Sequence, residues 1–390
     1  MAKSHSISLA YGADAPLALQ PAAGALIAEC RGPAGVAGEA AGDLTAAAIT
    51  EPPAGPPLSA HVVPGDRVAI AVAGGIPQAE HVLAAVRRCL EAAGVGAGEV
   101  TMIHDQPAQD ADTAYLGADE AGDPLYLSRT LVDADVVVSI GAWTWDAAIG
   151  GRSLEGELWP TFSRVQSRRD LTRQLAKRGR HALAGWRTEM QTITWQLGVM
   201  ASLRLVAGRD GSLAAAVFGL PDAAGHAARA LAAEWSPGVS REAMLTIASM
   251  SRPLEADESA EHALAAATRA VAAAARVTQP QGTICLVSRL AVAPGVIFSR
   301  WRQGAPLEGL VHEALGTNDP QLVADALQTR LFARALGDRR LVLLSELDET
   351  TVEDLEFGYA ASPAAVERLA AKADSLIVLH EADLMFPRVR

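Results

Sequence analysis

The sequence predicts an α/β protein: two three-layer α/β domains with mostly parallel sheets and an inter-domain cleft. Three observations carry this. Runs such as RVAIAVA at 67–73, VVVSI at 136–140 and GTICLVS at 282–288 are apolar throughout, as strands buried on both faces are. Helix-length stretches separate these runs, the βαβα order that builds a parallel sheet. The chain's 390 residues exceed what one core organises, and Ser236, Pro237 and Gly238 break the pattern. Residues 1–237 and 238–390 are therefore expected as separate α/β domains.

In order, residues 6–11 (SISLAY) read as a short strand. Residues 16–57 are rich in Pro, Gly and Ala and read as a linker or an ordered binding loop, with one helix near 43–49. The strand at 67–73 feeds Gly74, Gly75, Ile76 and Pro77 and then a helix over 78–93. A glycine turn before a helix is the layout of an anion site, although a tight turn without a ligand has the same residues. The next strand, at 100–104, ends in His104 and Asp105, an acid/base or metal-corner pair by type. Adjacent residues on an extended chain point to opposite faces, so the pair needs a bend to converge.

The strand at 136–140 opens into the loop 141–162, which holds Trp143, Trp145, Asp146, Arg152, Glu155, Glu157 and Trp159. A sheet edge that empties into such a loop is where open α/β folds keep their sites. Trp143 and Trp145 share one side of an extended backbone, and Arg152 after Gly150 and Gly151 is a carboxylate clamp by type. Seven basic residues from Arg164 to Arg180 follow, either lining an anion-attracting cleft or forming a solvated face. Strands at 202–206 and 214–218, and a helix from Pro221 towards Trp235, complete the first half. Beyond the break, strands are expected at 243–248, 282–288, 341–345 and 375–379, alternating with helices at 259–276, after Asp319 and at 362–371.

Composition bounds the function. A formal net charge of -12 and a pI near 5.3 argue against a nucleic-acid surface, although local basic clusters are compatible with them. Aromatic residues are only 4%, so the cores must be built of Ala, Val and Leu. Cys30, Cys89 and Cys285 are scattered and odd in number, which fits a reducing compartment and neither a zinc site nor a disulfide framework. With no 18-residue apolar run and no signal-peptide core, a cytoplasmic protein without a membrane segment is expected. The nine histidines show no H-x-x-H or H-x-x-x-H spacing, so no metal site is expected.

Several segments together resemble the nickel-dependent lactate racemases and their 2-hydroxyacid racemase and epimerase relatives. They are PLYLSRTLVDADVVVSIG at 124–141, RLVAGRDGSLAAAVFGLPDAAGHAARA at 204–230, SRPLEADESAEHALAAATRAV at 251–271, QGTICLV at 281–287 and the stretch 330–370. The resemblance implies two α/β domains around a cleft and a nickel-pincer nucleotide tethered to a lysine, which takes hydride from the hydroxyl-bearing carbon. The family's catalytic residues do not carry over. Its Asp-His-Thr-Arg-Pro signature falls on Ala73, Gly74, Gly75, Ile76 and Pro77, leaving only the proline. Its Gly-x-His-Arg turn falls on residues 105–109, and a further histidine falls on Asp146. Its Gly-Gly-Arg-Lys loop resembles Gly150, Gly151, Arg152 and Ser153, so Ser153 or Gly156 stands for the tethering lysine. The nickel-ligating histidine falls near Thr172, and a Gln-x-x-Lys pair falls on Ala260 and Ala263.

The residues and the resemblance leave two main readings. In one, the chain has lost the nickel-pincer chemistry, carries no cofactor and binds a small carboxylate or other anion in the cleft. In the other it is a diverged 2-hydroxyacid racemase or epimerase, retaining the pincer or using other chemistry. Its catalytic candidates are then His104, Asp105 and Asp146, with Gly74, Gly75, Trp143, Trp145, Arg152 and Glu157 around the substrate. A structural subunit without a small-molecule site is the third possibility.

Overall fold

The strand Val68–Val72 is buried at all five positions, so it requires cover on both faces. Val68, Ile70 and Val72 face the helices Glu39–Thr50 and Ala79–Ala92 through Ile49, Val82, Val86 and Leu90. Ala69 and Ala71 face the other way, against Leu131, Leu158, Phe162 and Val199. The computed structural model describes residues 6–12, 15–53, 55–106, 108–118, 122–154, 158–250 and 260–390. Glu155, Gly156 and Glu157 lie outside these described residues.

Around this strand runs a five-stranded sheet in the order Leu213–Gly219, Ala201–Ala207, Val136–Ala142, Val68–Val72, Val100–His104. All neighbours are parallel except the hairpin pair Ala201–Ala207 and Leu213–Gly219. Val72 is in register with Ile140 on one side and with the strand end His104 on the other, while Val136–Ala142 runs two residues further.

A second sheet, parallel throughout, has the order Gly358–Tyr359, Arg340–Leu344, Thr278–Val287, Ala243–Ser249, Leu376–Leu379, Leu26–Cys30. One face carries the helices Ala260–Ala275 and Pro320–Leu336, and the other the hairpin Ile7–Leu9 with Leu17–Leu19 and the helix Pro363–Lys372. The fold is therefore α/β with two mostly parallel sheets, each covered on both faces. Ala263, Ala267, Ala270, Ala273 and Ala274 pack a long helix against its sheet, which is how so few aromatics suffice.

Two sequence expectations change here. Residues 16–57 are not only linker: Leu26–Cys30 is an edge strand bonded to Leu376–Leu379. The chain thus joins the second sheet with Leu26–Cys30, crosses to the first after Arg31 and returns after Trp235. A division at 237/238 separates residues 26–30 from the sheet that holds them. The expected cleft is also partly closed, because Trp143, Trp145, Ala228, Ala232, Trp235 and Phe386 belong to one apolar cluster that reaches the second sheet.

The basic helix is Val165–Arg178, and part of its charge is structural. Arg173 donates to the carbonyls of Leu315 and Thr317, while Arg330 donates back to the carbonyls of Ala176 and Lys177. Among the described residues no helix is long and apolar enough to cross a membrane.

Candidate functional site

In the first sheet the chain lays down Val68–Val72, adds Val100–His104 on one side, then crosses to place Val136–Ala142 on the other. The strand order reverses between the first and third of these, and the crevice beyond their carboxyl ends is where such folds bind ligands. Gly74 and Gly75 occupy one lip; Gly75, at φ +68°, makes the sharp turn that a side chain would strain. Asp105 leaves the neighbouring strand, accepts from the Gly74 N–H at 3.4 Å and is ion-paired with Arg168. A Cβ at position 74 would lie 3.1 Å from the Asp105 carboxylate, tighter than ordinary contact. His104 sits exposed at its strand end, and no hydrogen bond joins its ring to Asp105 among the described residues.

The other lip continues into a hairpin. Trp143 N–H donates to Leu205 O, after which Trp145–Asp146 pairs antiparallel with Gly151–Arg152. Asp146 closes the hairpin by accepting from the Ala148 and Ile149 N–H groups at 2.9 and 3.1 Å. Its carboxylate thus organises a turn, the usual work of an aspartate at such a position. Gly150, at φ +80°, supplies the left-handed residue the turn requires. Ser153 is buried, with its N–H on Thr144 O.

Against this hairpin lies an open recess of about 380 Å³. Its chemistry is set by Trp143, Trp145, Arg152, Arg187, Arg229 and Arg388. The volume suits a small molecule. The guanidinium carbons of Arg229 and Arg388 lie 5.9 and 5.6 Å from the centre of the Trp145 ring, within cation–π range. Arg187 donates to the Arg152 carbonyl at 2.8 Å, fixing the helix Leu183–Gln196 to the hairpin. His226 donates its Nδ1–H to Asp222 O at 2.8 Å, leaving Nε2 as the acceptor nitrogen. Among the described residues lining the recess Asp222 is the one acidic side chain, set against four arginines in a chain of net charge -12.

Trp143, Trp145 and Arg152 are thus brought together on one recess, joined by Arg187, Arg229, His226 and Arg388. Gly74, Gly75, His104, Asp105 and Asp146 do not line it, and Glu157 lies outside the described residues. Comparison with solved structures finds this architecture in the lactate racemase apoprotein from Thermoanaerobacterium thermosaccharolyticum. The TM-score is 0.72 at 15% identity, covering 98% of this chain and 100% of that one. The fold is lactate-racemase-like. A structural-genomics protein from Thermotoga maritima also matches, with TM-score 0.58 and 11% identity over 90% of this chain and 98% of that one. No protein-family model and no curated protein matches the sequence.

The residues missed by sequence reasoning carried a weak signal. Asp222, Gly225, His226 and Arg229 fall at helical spacing on one face of Pro221–Leu231, which marks a shared surface. Phe386 and Arg388 carried none, since only the chain's return past the Trp145 hairpin brings them there.

Proposed function

We propose that this lactate-racemase-like chain works without nickel-pincer chemistry and binds a small carboxylate in the arginine recess. The observation that carries the reading is the convergence of Arg152, Arg187, Arg229 and Arg388 on the Trp145 hairpin in an acidic protein. Guanidinium groups match carboxylates in geometry as well as charge.

The positions that the resemblance assigns to the cofactor do not fit it. Ser153 offers a buried hydroxyl in place of a tethering amine. A side chain at position 74 would crowd the Asp105 carboxylate, 3.1 Å from the Cβ, and Asp105 would have to shift to admit a histidine. Thr172 donates its hydroxyl to Arg168 O within its own helix, and Ala263 is fully buried in the core. Among the described residues no three His, Cys, Asp or Glu side chains are grouped to hold a metal ion.

The test is calorimetric titration with lactate, malate and succinate. Saturable binding that weakens with salt, and at least tenfold in Arg229→Gln or Arg388→Gln, supports the reading; no binding by any of the three sinks it. The alternative, a diverged 2-hydroxyacid racemase or epimerase, draws on the whole-chain likeness to a lactate racemase. Stoichiometric nickel with a covalent adduct, in protein produced alongside the pincer-synthesis machinery, would establish that alternative instead.

A further inference from the structure

The second sheet has its own reversal of strand order, between Ala243–Ser249 and Leu376–Leu379, and the chain fills it with charge. Leu376–Leu379 runs out into His380 and Glu381, and its neighbour ends at Ser249. The edge strand Leu26–Cys30 sets Glu29 beside them, with Arg31 just past its end. From the first sheet, the turn before Leu213–Gly219 delivers Arg209 and Asp210.

These groups are held firmly. His380 and Glu381 are 8% and 6% exposed. His380 Nε2 lies 3.0 Å from Glu29 Oε1, which also accepts from Arg31 Nε at 2.8 Å and Nη2 at 2.6 Å. The neutral imidazole therefore donates through Nε2 and keeps its lone pair on Nδ1, for which no partner exists among the described residues. Glu381 Oε1 accepts from the Asp210 N–H at 3.0 Å, and the Glu381 N–H points to Ser249 Oγ at 3.4 Å. Among the described residues four non-glycines have positive φ, and two of them, Asp210 at +58° and Glu381 at +50°, are bonded to one another here. Such backbone persists only where its surroundings over-determine it, and it clusters at ligand sites.

Between these groups lies a recess of about 190 Å³, lined by Arg31, Arg209, Asp210, Ser249, His380 and Glu381. Among the described residues it shares no lining residue with the arginine recess. Among the described residues no hydrogen bond or ion pair holds the Arg209 guanidinium or the Asp210 carboxylate. We propose that this recess is a second ligand site, for a small zwitterion bearing an amine and a carboxylate, such as a free α-amino acid.

The charges select that class. A plain anion here meets Asp210 and Glu381, and a plain cation meets Arg31 and Arg209, so each suffers repulsion that a zwitterion avoids. A carboxylate on Arg209 leaves the ammonium to Asp210, beside it on the rim, and to the Nδ1 lone pair of the buried His380. The recess is smaller than the roughly 300 Å³ at which drug-sized and nucleotide pockets begin, so a compact metabolite fits and a nucleotide does not.

The experiment titrates the full chain with each of the twenty standard amino acids, then with the des-amino and decarboxylated analogues of the best binder. At least one amino acid is expected to bind saturably, with both analogues at least tenfold weaker. Arg209→Gln and Asp210→Asn should each lower its affinity at least tenfold at unchanged Tm, because asparagine tolerates the left-handed backbone. Arg388→Gln, which disables the other recess, should leave this binding intact. The proposal is overturned if no amino acid binds, if either analogue binds equally well, or if both rim variants retain full affinity.

Discussion

Trp145 stacks on Phe386, with ring centroids 5.0 Å apart and planes inclined by 17°. One ring belongs to the hairpin that leaves the first sheet, the other to the C-terminal segment that follows the second. Trp143 meets the same indole edge-on at 4.8 Å, and Trp145 Nε1 donates to Ala232 O at 3.1 Å. The contact thus fixes the seam between the sheets and the floor of the arginine recess at once. Phe386→Ala, at a buried site, should cost about 3–5 kcal/mol in chemical denaturation, the usual range for a core phenylalanine. Phe386→Leu should cost clearly less. A loss under about 1 kcal/mol in Phe386→Ala would mean that the seam is held elsewhere.

The pair Asp105 and Arg168 leads to the opposite expectation. Their side chains are 34% and 33% exposed, so solvent screens the attraction. Asp105→Asn should change stability by no more than about 1 kcal/mol. The same substitution tests whether Asp105 does anything beyond this pairing. Carboxylate binding in the arginine recess, which Asp105 does not line, should be unchanged.

How much of this was legible in the sequence follows from what each element buries. Val68–Val72 and Val136–Ala142 are covered on both faces, and their unbroken apolar runs announced it. Leu26–Cys30 is a half-buried edge strand that sets Glu29 against His380, so its residues lack that signature. Its parallel partner lies near the far end of the chain, beyond the reach of any local pattern. The glycine turn at 150–151 marked the hairpin, and Arg152 with it. Strand-tip location alone suggested His104, Asp105 and Asp146. Location does not say where a side chain turns, and the fold gives Asp105 to Arg168 and Asp146 to its own hairpin.

The three cysteines should differ sharply in reactivity. Burial pushes the Cys285 thiol up to about 12, and burial followed by the Glu29 charge pushes Cys30 up to about 11. At pH 8 both are then almost wholly protonated, and the thiolate is the species that reacts. Cys89 is only half-buried, and burial raises it less far while Arg88 opposes the rise. Brief treatment of the native protein with iodoacetamide should therefore label Cys89 alone, read by peptide mass spectrometry. Labelling of Cys285 without denaturant would show that the second sheet opens far more readily than its packing implies.

His380 should make the protein less stable as the solution is acidified. Burial, then the Arg31 charge, depress its imidazole below the ordinary 6.5, outweighing the opposing pull of Glu29 and Asp210. A histidine with a lowered native pKa binds its proton more readily when unfolded. Stability is therefore full above about pH 6.5 and falls as pH drops from there towards the native value, by at most about 1.4 kcal/mol per pH unit for one proton. Glu29 acts in the same direction in a lower window. Burial raises it, but the Arg31 hydrogen bond and charge, with His380, hold it below 4.5, so its contribution is lost only on acidification beneath that value. Denaturation curves from pH 7.5 to 3 should show the two losses in succession. His380→Gln should remove the upper loss and leave a reduced lower one, carried by the Arg31 hydrogen bond and charge. If the wild-type protein is equally stable at pH 7 and 5, or the variant keeps the upper loss, the native imidazole is not the group being charged.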